Sequence, residues 1–143
     1  MNLSTEQRAF IESHPAAAMI TIGDDGIPKA VRVGVALVDG KLWSSGTGDR
    51  VRTNRLRDDP RCTLFVFAGG GFDYLTMETT VTILDGPDVP DQSLRLFRVM
   101  QRRPDSPLSW FGGELDDDAF RARMVEEGRL IYEFDVHVAY GIA

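Results

Sequence analysis

Arginines are concentrated in one short stretch of this chain. Residues 50–61 hold five arginines and two aspartates, whereas the whole chain carries a net charge of -6. Small hydroxyl residues and glycines, Ser44-Ser45-Gly46-Thr47-Gly48, come directly before the stretch. Arginine binds phosphate through paired hydrogen bonds, and the N–H groups at the start of a helix attract anions. The segment therefore predicts a phosphate-binding turn over Arg50 to Arg57.

A solvated basic face is the simpler interpretation of the same residues. Asp58 and Asp59 could pair with nearby arginines in exposed salt bridges, each worth about 0–1 kcal/mol. The chain contains no G-x-x-x-x-G-K-[ST] sequence and no G-x-G-x-x-G after a strand, so neither a P-loop nor a Rossmann nucleotide site is predicted. The residue types alone leave the basic face and the phosphate site both open.

Other reactive side chains give weaker signals. His14 lies at the end of a predicted helix, and His137 alternates with apolar residues in the last predicted strand, but no G-x-S-x-G sequence offers them a hydrolase nucleophile. Trp110-Phe111 fits core packing, a dimer interface or stacking on a ring, and Cys62 fits core packing. One cysteine and two histidines cannot form the usual structural zinc sites. No catalytic residue and no metal ligand is predicted.

Length and composition predict one domain over residues 1–143, because a chain of this size can bury a single core. No segment approaches the roughly 20 apolar residues of a membrane span. The first six residues lack the basic and apolar regions of a secretion signal, so we expect a cytoplasmic protein. The acidic balance argues against general binding to nucleic acid, which needs cations on phosphates.

The hydrophobic pattern predicts a chain that is mainly β with a few short helices. Helices are predicted over about 5–13, 50–57, 91–101 and 114–127. Strands are predicted over 16–22, 30–38, 41–45, 62–67, 74–84 and 130–142. We expect Asp49 to cap the second helix and residues 104–113 to be irregular. Tight turns between strands predict an antiparallel sheet that closes on itself.

Three segments resemble the pyridoxamine-phosphate-oxidase-like split β-barrel superfamily. They are Gly26-Ile27-Pro28-Lys29, Asp39-Gly40-Lys41-Leu42-Trp43, and the arginine-rich stretch that ends in Leu56-Arg57-Asp58-Asp59-Pro60-Arg61. The spacing R-x-[KR]-T-x-x-L-R-x-D-P-R is most similar to the branch that uses the deazaflavin coenzyme F-420. Asn54 and Arg55 stand where many members have Arg and then Asn. The resemblance implies an antiparallel split β-barrel of six or more strands that forms a homodimer.

The resemblance also implies which residues bind the cofactor. Arg50, Arg52 and Thr53 would contact its phosphate. Arg55, Arg57 and Arg61, if they point toward the mouth of the pocket, would favour the longer anionic tail of the deazaflavin. The remaining implied contacts lie beside the ring system and at a strand end: Lys29, Arg32, Val33, Ser44 and Ser45.

The implied activity is that of an oxidoreductase. A deazaflavin of the F-420 type would bind in a groove between two copies and transfer hydride to an unsaturated small molecule. One alternative is an FMN-binding member of the superfamily, and another is a carrier of flavin or haem without turnover. The chain ends in Val138-Ala139-Tyr140-Gly141-Ile142-Ala143 and lacks the R-L-x-P signature of the pyridoxamine phosphate oxidases proper. That particular activity is therefore not expected.

Overall fold

The structure is a computed structural model that describes residues 3–141. Four helices are present among these residues: α1 (Thr5–Ser13), α2 (Val51–Asp58), α3 (Val89–Gln101) and α4 (Asp117–Glu126). The strands are β1 (Ala16–Ile22), β2 (Pro28–Gly34), β3 (Ala36–Val38), β4 (Lys41–Thr47), β5 (Arg61–Phe67), β6 (Tyr74–Leu84), β7 (Leu108–Trp110), β8 (Gly113–Leu115) and β9 (Arg129–Gly141). The prediction of a mainly β chain with short helices is confirmed.

Seven strands form one antiparallel sheet in the order β2-β1-β5-β6-β9-β4-β3. The two edge strands, β2 and β3, are joined through the single residue Val35, so the edges of the sheet must lie side by side. The Ser44 hydroxyl of β4 donates to the Gly34 carbonyl of β2 at 2.6 Å, across this junction. The sheet therefore curls on itself, as the run of tight turns predicted.

The inside of the curled sheet is the main core. Alternate residues of the strands point inward because side chains of a strand alternate between its two faces. Met19, Leu64, Met77 and Tyr132 are fully buried there. Helix α2 contributes Leu56 to the same core, which fixes the helix against the end of the sheet.

A second layer covers the outer side of β3, β4 and β9. Helix α3 packs on this side through Leu96, which meets Trp43 and Ile131. Helix α4 and the β7–β8 hairpin then pack against α3 around an aromatic cluster that includes Trp110 and Phe120. This layer brings residues near position 110 toward the start of β9.

Four local predictions were wrong. The helix predicted over 114–127 begins only at Asp117, because Gly113–Leu115 pairs with β7 as strand β8. The predicted strand over 30–38 is two strands, because the chain passes at Val35 from one edge of the sheet to the other. Residues 104–113 are not wholly irregular, since Leu108–Trp110 forms the first strand of a hairpin that turns at Phe111 and Gly112, both with positive φ. The N-cap of α2 is Arg50 rather than Asp49, whose carboxylate instead accepts from the Thr47 hydroxyl at 2.6 Å.

Within residues 3–141, no helix is both long enough and apolar enough to cross a membrane.

Candidate functional site

The arginines of helix α2 lie on two different sides of the helix. Thr53 and Leu56, three residues apart, are buried against the sheet, because residues at this spacing share one side of a helix. Arg52 precedes Thr53 and lies beside the barrel core. Arg55 lies on the other flank, where it lines an open cleft with Lys29. The predicted arginine cluster is therefore divided between two flanks of a single short helix.

A chain of buried hydroxyl groups anchors the start of α2. The Thr53 side chain is 0% exposed, and its hydroxyl donates to the Thr47 carbonyl at 2.8 Å. The same oxygen lies 2.5 Å from the Tyr132 hydroxyl of β9. Gly46 lets the Tyr132 ring approach, since a Cβ at Gly46 would lie 2.3 Å from the Tyr132 hydroxyl oxygen. These contacts hold the helix start in place and leave Thr53 facing the protein interior.

Arg50 and Arg52 lie at the anchored end of α2. The Arg50 Nε donates to the Thr47 hydroxyl at 3.2 Å, and the Arg52 guanidinium lies 5.9 Å from the centre of the Tyr132 ring. The Arg52 Nε is buried and has no hydrogen-bond partner within residues 3–141. Burial, together with the nearby charges of Arg52 and Arg129, lowers the pKa of Arg50. Like charges that crowd in this way are stabilised by a bound anion.

The flank that contains Lys29 and Arg55 has the opposite balance of charge. The cleft there has a volume of about 310 Å³, and its lining includes Asp24, Asp25 and Asp58 besides the two cations. Lys29 already forms an ion pair with Asp25 at 3.0 Å. Three carboxylates against two cations do not favour a phosphate, so the Arg50 and Arg52 end of the helix is the stronger candidate for an anion site.

The ring-side candidates lie on different faces of β2. Val33 is buried on the inner face, and Lys29 shares that face by the two-residue period. Arg32 is exposed on the outer face, where it borders an apolar cleft of about 520 Å³ lined also by Phe67 and by alanines of β1 and β2. A planar ring lying on one face of β2 would contact either Lys29 and Val33 or Arg32, but not all three residues. A ring lying along the unpaired edge of β2 could meet all three residues.

Ser44 and Ser45 also face opposite sides of their strand. The Ser44 hydroxyl already donates a hydrogen bond to the Gly34 carbonyl. The Ser45 hydroxyl is buried without a hydrogen-bond partner among the described residues, on the side of β4 that faces α3. The structure therefore does not bring the two hydroxyls together.

The remaining reactive residues have structural contacts. His14 ends α1, where its ring stacks on Phe10 at 4.3 Å and its Nδ1 lies 3.0 Å from the Phe10 carbonyl. His137 is the extra residue of a β-bulge in β9, and its Nε2 lies 2.8 Å from the Thr80 hydroxyl. Cys62 is buried, and this burial raises the pKa of its thiol to about 12.

Sequence reasoning missed two residues of β9 that complete the site. Tyr132 supplies the hydroxyl beneath α2, and Arg129 lies across from Thr47 in the pairing of β4 with β9. Both are far from the arginine-rich stretch along the chain, since Arg129 follows Arg61 by 68 positions and Tyr132 follows it by 71. Only the pairing of β4 with β9 brings them to it, and no local pattern in the sequence signals that pairing.

Solved structures share this fold. The conserved hypothetical protein Rv2991 from Mycobacterium tuberculosis superposes with a TM-score of 0.77 at 20% identity, over 99% of this chain and 85% of that one. A structure named F420 reductase gives 0.68 at 18% identity, over 96% and 98%. A FAD-binding protein from Mesorhizobium loti gives 0.66 at 14% identity, over 97% and 92%. At these identities the likeness establishes the split β-barrel fold.

Family membership rests on the sequence itself. The family model described as pyridoxamine 5'-phosphate oxidase matches residues 3–116, which include the arginine-rich stretch and the first six strands. The resemblance drawn from the three short segments is thereby confirmed. The chain belongs to the pyridoxamine 5'-phosphate oxidase family.

Proposed function

We propose that this chain is a cytoplasmic single-domain oxidoreductase that binds a deazaflavin of the F-420 type and reduces an unsaturated small molecule. The observation that carries the proposal is the pair Arg50 and Arg52 at the anchored start of α2. Support also comes from the family and from the structural likeness to a protein named F420 reductase. When bound, the deazaflavin supplies the hydride.

The residues at the start of α2 fit a phosphate group. Arg50 is exposed and Arg52 partly buried, and the Nε of Arg52 has no partner among the described residues. A charge-assisted hydrogen bond to a phosphate oxygen would satisfy such a donor. The resemblance implies that Thr53 contacts the phosphate, but its hydroxyl is already hydrogen-bonded to the Thr47 carbonyl and the Tyr132 hydroxyl. We propose that Thr53 positions the helix, and that its backbone N–H is not the main anion contact because it donates to the Arg50 carbonyl.

The edge of β2 fits the ring of the same cofactor. Within the seven-stranded sheet, β2 pairs only with β1, so the backbone row on its other side has no strand partner; of this row, the Gly34 carbonyl accepts from the Ser44 hydroxyl. Lys29 and Val33 lie on one side of this row and Arg32 on the other. We propose that the ring lies along this edge, with the strand holding its orientation and the flanking side chains excluding water.

Homodimer formation is part of the proposal. The outward face of β5 and β9 carries Phe67 and Tyr140, which are 55% and 48% exposed. Large exposed apolar side chains on the outer face of a sheet are typical of an interaction surface. A second copy packed on this face would close the open side of the cleft beside Arg32. Light scattering on the purified 15.9 kDa chain should then give twice that mass, and Phe67→Glu should reduce the mass toward the monomer.

FMN is the second candidate cofactor, because the superfamily that the sequence resembles includes FMN-binding members and a phosphate site suits both cofactors. FMN has a shorter tail than the deazaflavin, so its binding needs fewer cations besides Arg50 and Arg52.

A carrier of flavin or haem is the third candidate, and the absence of an assigned catalytic acid or base agrees with it. Turnover of an acceptor by the reduced cofactor separates the carrier from both enzymes.

The test is a pair of titrations of the cofactor-free protein, one with oxidised deazaflavin and one with FMN, followed by fluorescence polarisation. We expect micromolar or tighter binding of the deazaflavin and weaker binding of FMN. The reverse preference would assign the chain to the FMN-dependent members. Binding of neither would refute the proposal and leave the arginines to another anion.

A further inference from the structure

Arg129 is the first residue of β9 and lies directly opposite Thr47 of β4. Thr47 also accepts the hydrogen bond from the Arg50 Nε. Two arginines that are 79 positions apart along the chain therefore lie beside the same threonine, Arg129 through strand pairing and Arg50 through a side-chain hydrogen bond. The backbone confirms how close the two segments are, since the Gly48 N–H donates to the Gly128 carbonyl at 3.1 Å.

The Arg129 side chain is held rigidly. Its Nε donates to one oxygen of Glu127 at 2.9 Å, and its Nη2 lies 2.8 Å from the same oxygen. The other oxygen of Glu127 accepts from the Trp110 Nε1 at 2.8 Å, and the Trp110 ring lies 5.0 Å from the Arg129 guanidinium. Only 11% of the Arg129 side chain is exposed. Its Nη1 makes no hydrogen bond within the described residues.

The charges around Arg129 do not cancel. Burial alone would raise the pKa of Glu127, but the hydrogen bonds from Trp110 and Arg129 outweigh it and lower that pKa, so Glu127 stays ionised. One carboxylate thus balances Arg129. Asp49, the other nearby acid, accepts from the Thr47 hydroxyl and keeps its negative charge beside Arg50, so two carboxylates stand against three guanidinium groups. Arg50 and Arg52 retain an excess of positive charge beside a third guanidinium that is already fixed in place.

We propose that Arg129 is a third cation of the anion site formed by Arg50 and Arg52, with Glu127 and Trp110 as its positioning residues. The expected ligand is a phosphate monoester or diester. It carries a further negatively charged oxygen that Arg50 and Arg52 of the α2 start do not contact and that Arg129 does. The assignment of that ligand to a flavin-type cofactor rests on the proposed function. The placement of Arg129 and Arg50 beside Thr47 does not.

Inorganic pyrophosphate is a probe that tests this site without any flavin. Its affinity for the protein is measured by calorimetry for the natural chain and for the double variant Glu127→Gln/Arg129→Gln. The double change leaves the net charge unaltered and avoids an unpaired carboxylate. We expect about a 10- to 100-fold loss of affinity, the range for one charge-assisted hydrogen bond. Asp91→Asn/Arg121→Gln removes another ion pair, 2.6 Å long, and should leave the affinity unchanged.

Equal pyrophosphate affinity in the natural chain and in the Glu127 and Arg129 double variant would overturn the proposal. Absence of pyrophosphate binding to the natural chain would do the same. If the double variant does not fold, Arg129→Lys decides, because lysine cannot hold Glu127 through two N–H groups and also face the anion. It should lose about 10-fold, and no loss would overturn the proposal.

Parallel titrations with deazaflavin and FMN separate the two proposals. Pyrophosphate binding that depends on Arg129, without binding of either flavin, would refute the proposed function and retain this site. Flavin binding that is equal in the natural chain and the double variant would retain the function and refute the role of Arg129.

Discussion

Removal of Arg50 and Arg52 together should abolish most of the affinity for the cofactor. The variant Arg50→Ala/Arg52→Ala deletes both guanidinium groups at the start of α2, and with them the Arg50 bond to the Thr47 hydroxyl and the Arg52 contact with the Tyr132 ring. It keeps the buried hydrogen bonds of the Thr53 hydroxyl to the Thr47 carbonyl and to the Tyr132 hydroxyl. The helix should therefore keep its position. Any loss of affinity then reports on direct contact with the anion rather than on a displaced helix.

The magnitude follows from the two contacts. Each charge-assisted hydrogen bond to a phosphate contributes about 1.5–3 kcal/mol. Arg50 is exposed, so solvent screening places its contribution toward the lower end, whereas Arg52 is partly buried. A combined loss of about 3–4 kcal/mol corresponds to a weakening of roughly 150- to 1,000-fold.

The assay is fluorescence polarisation with deazaflavin, run beside circular dichroism to show that the variant is folded. The matched control is Arg57→Ala/Arg61→Ala, which removes the same charge from the same segment. Arg57 and Arg61 already pair with Asp85 and Asp59, at 3.3 Å and 2.7 Å. The control should weaken binding by less than about 10-fold, as expected of exposed charges. Equal losses in the two double variants would show that net charge, not the start of α2, governs binding.

Three further predictions concern the anchor and the core. Tyr132→Phe should lower the free energy of unfolding by about 1–2 kcal/mol in urea, because Thr53 loses one of its two partners; no change would show that this hydrogen bond does not stabilise the fold. Gly46→Ala should cost about 1–3 kcal/mol or more, since its Cβ would meet the Tyr132 ring, and a neutral effect would contradict the tight packing. Burial raises the pKa of Cys62 to about 12 from 9.0, so the unfolded chain ionises first as the pH rises. The contribution of the neutral thiol to the free energy of unfolding is complete below about pH 9 and is lost between pH 9 and 12. Cys62→Ala should remove this part of the decline when the free energy of unfolding is measured across that range.

Much of the fold could be predicted because its signals are local. The S-x-x-Q capping box placed α1, and both of its hydrogen bonds, between Ser4 and Gln7, are present. The run of threonine, valine and isoleucine placed β6 at Tyr74–Leu84. The last strand was predicted to reach Ile142, which lies outside the described residues. Patterns of this kind depend only on neighbours in the chain, so a single sequence contains them.

The failures arose where tertiary contacts decide the outcome. Alternation of apolar residues continues through Val35, so nothing local marks the passage between two edges of the sheet. Trp110 and Phe111 gave an ambiguous signal: Trp110 is buried in the aromatic cluster, whereas Phe111 is 86% exposed at the hairpin turn.

The site was predicted in its composition but not in its arrangement. The arginine-rich stretch was recognised as one cluster, yet the helix divides it, and Lys29 lies with Arg55 in an acidic cleft. Arg129 and Tyr132 enter through strand pairing. All of the site predictions depend on where a cofactor binds, and they remain predictions: Lys29, Arg32, Val33, Ser44, Ser45, Arg50, Arg52, Thr53 and Arg55.

The most direct test of the central claim is a crystal structure of the protein with bound deazaflavin. We predict that the cofactor phosphate lies at the start of α2, within hydrogen-bond distance of the guanidinium groups of Arg50 and Arg52. A phosphate placed in the cleft of Lys29 and Arg55, or on the outer face beside Arg32, would contradict the account.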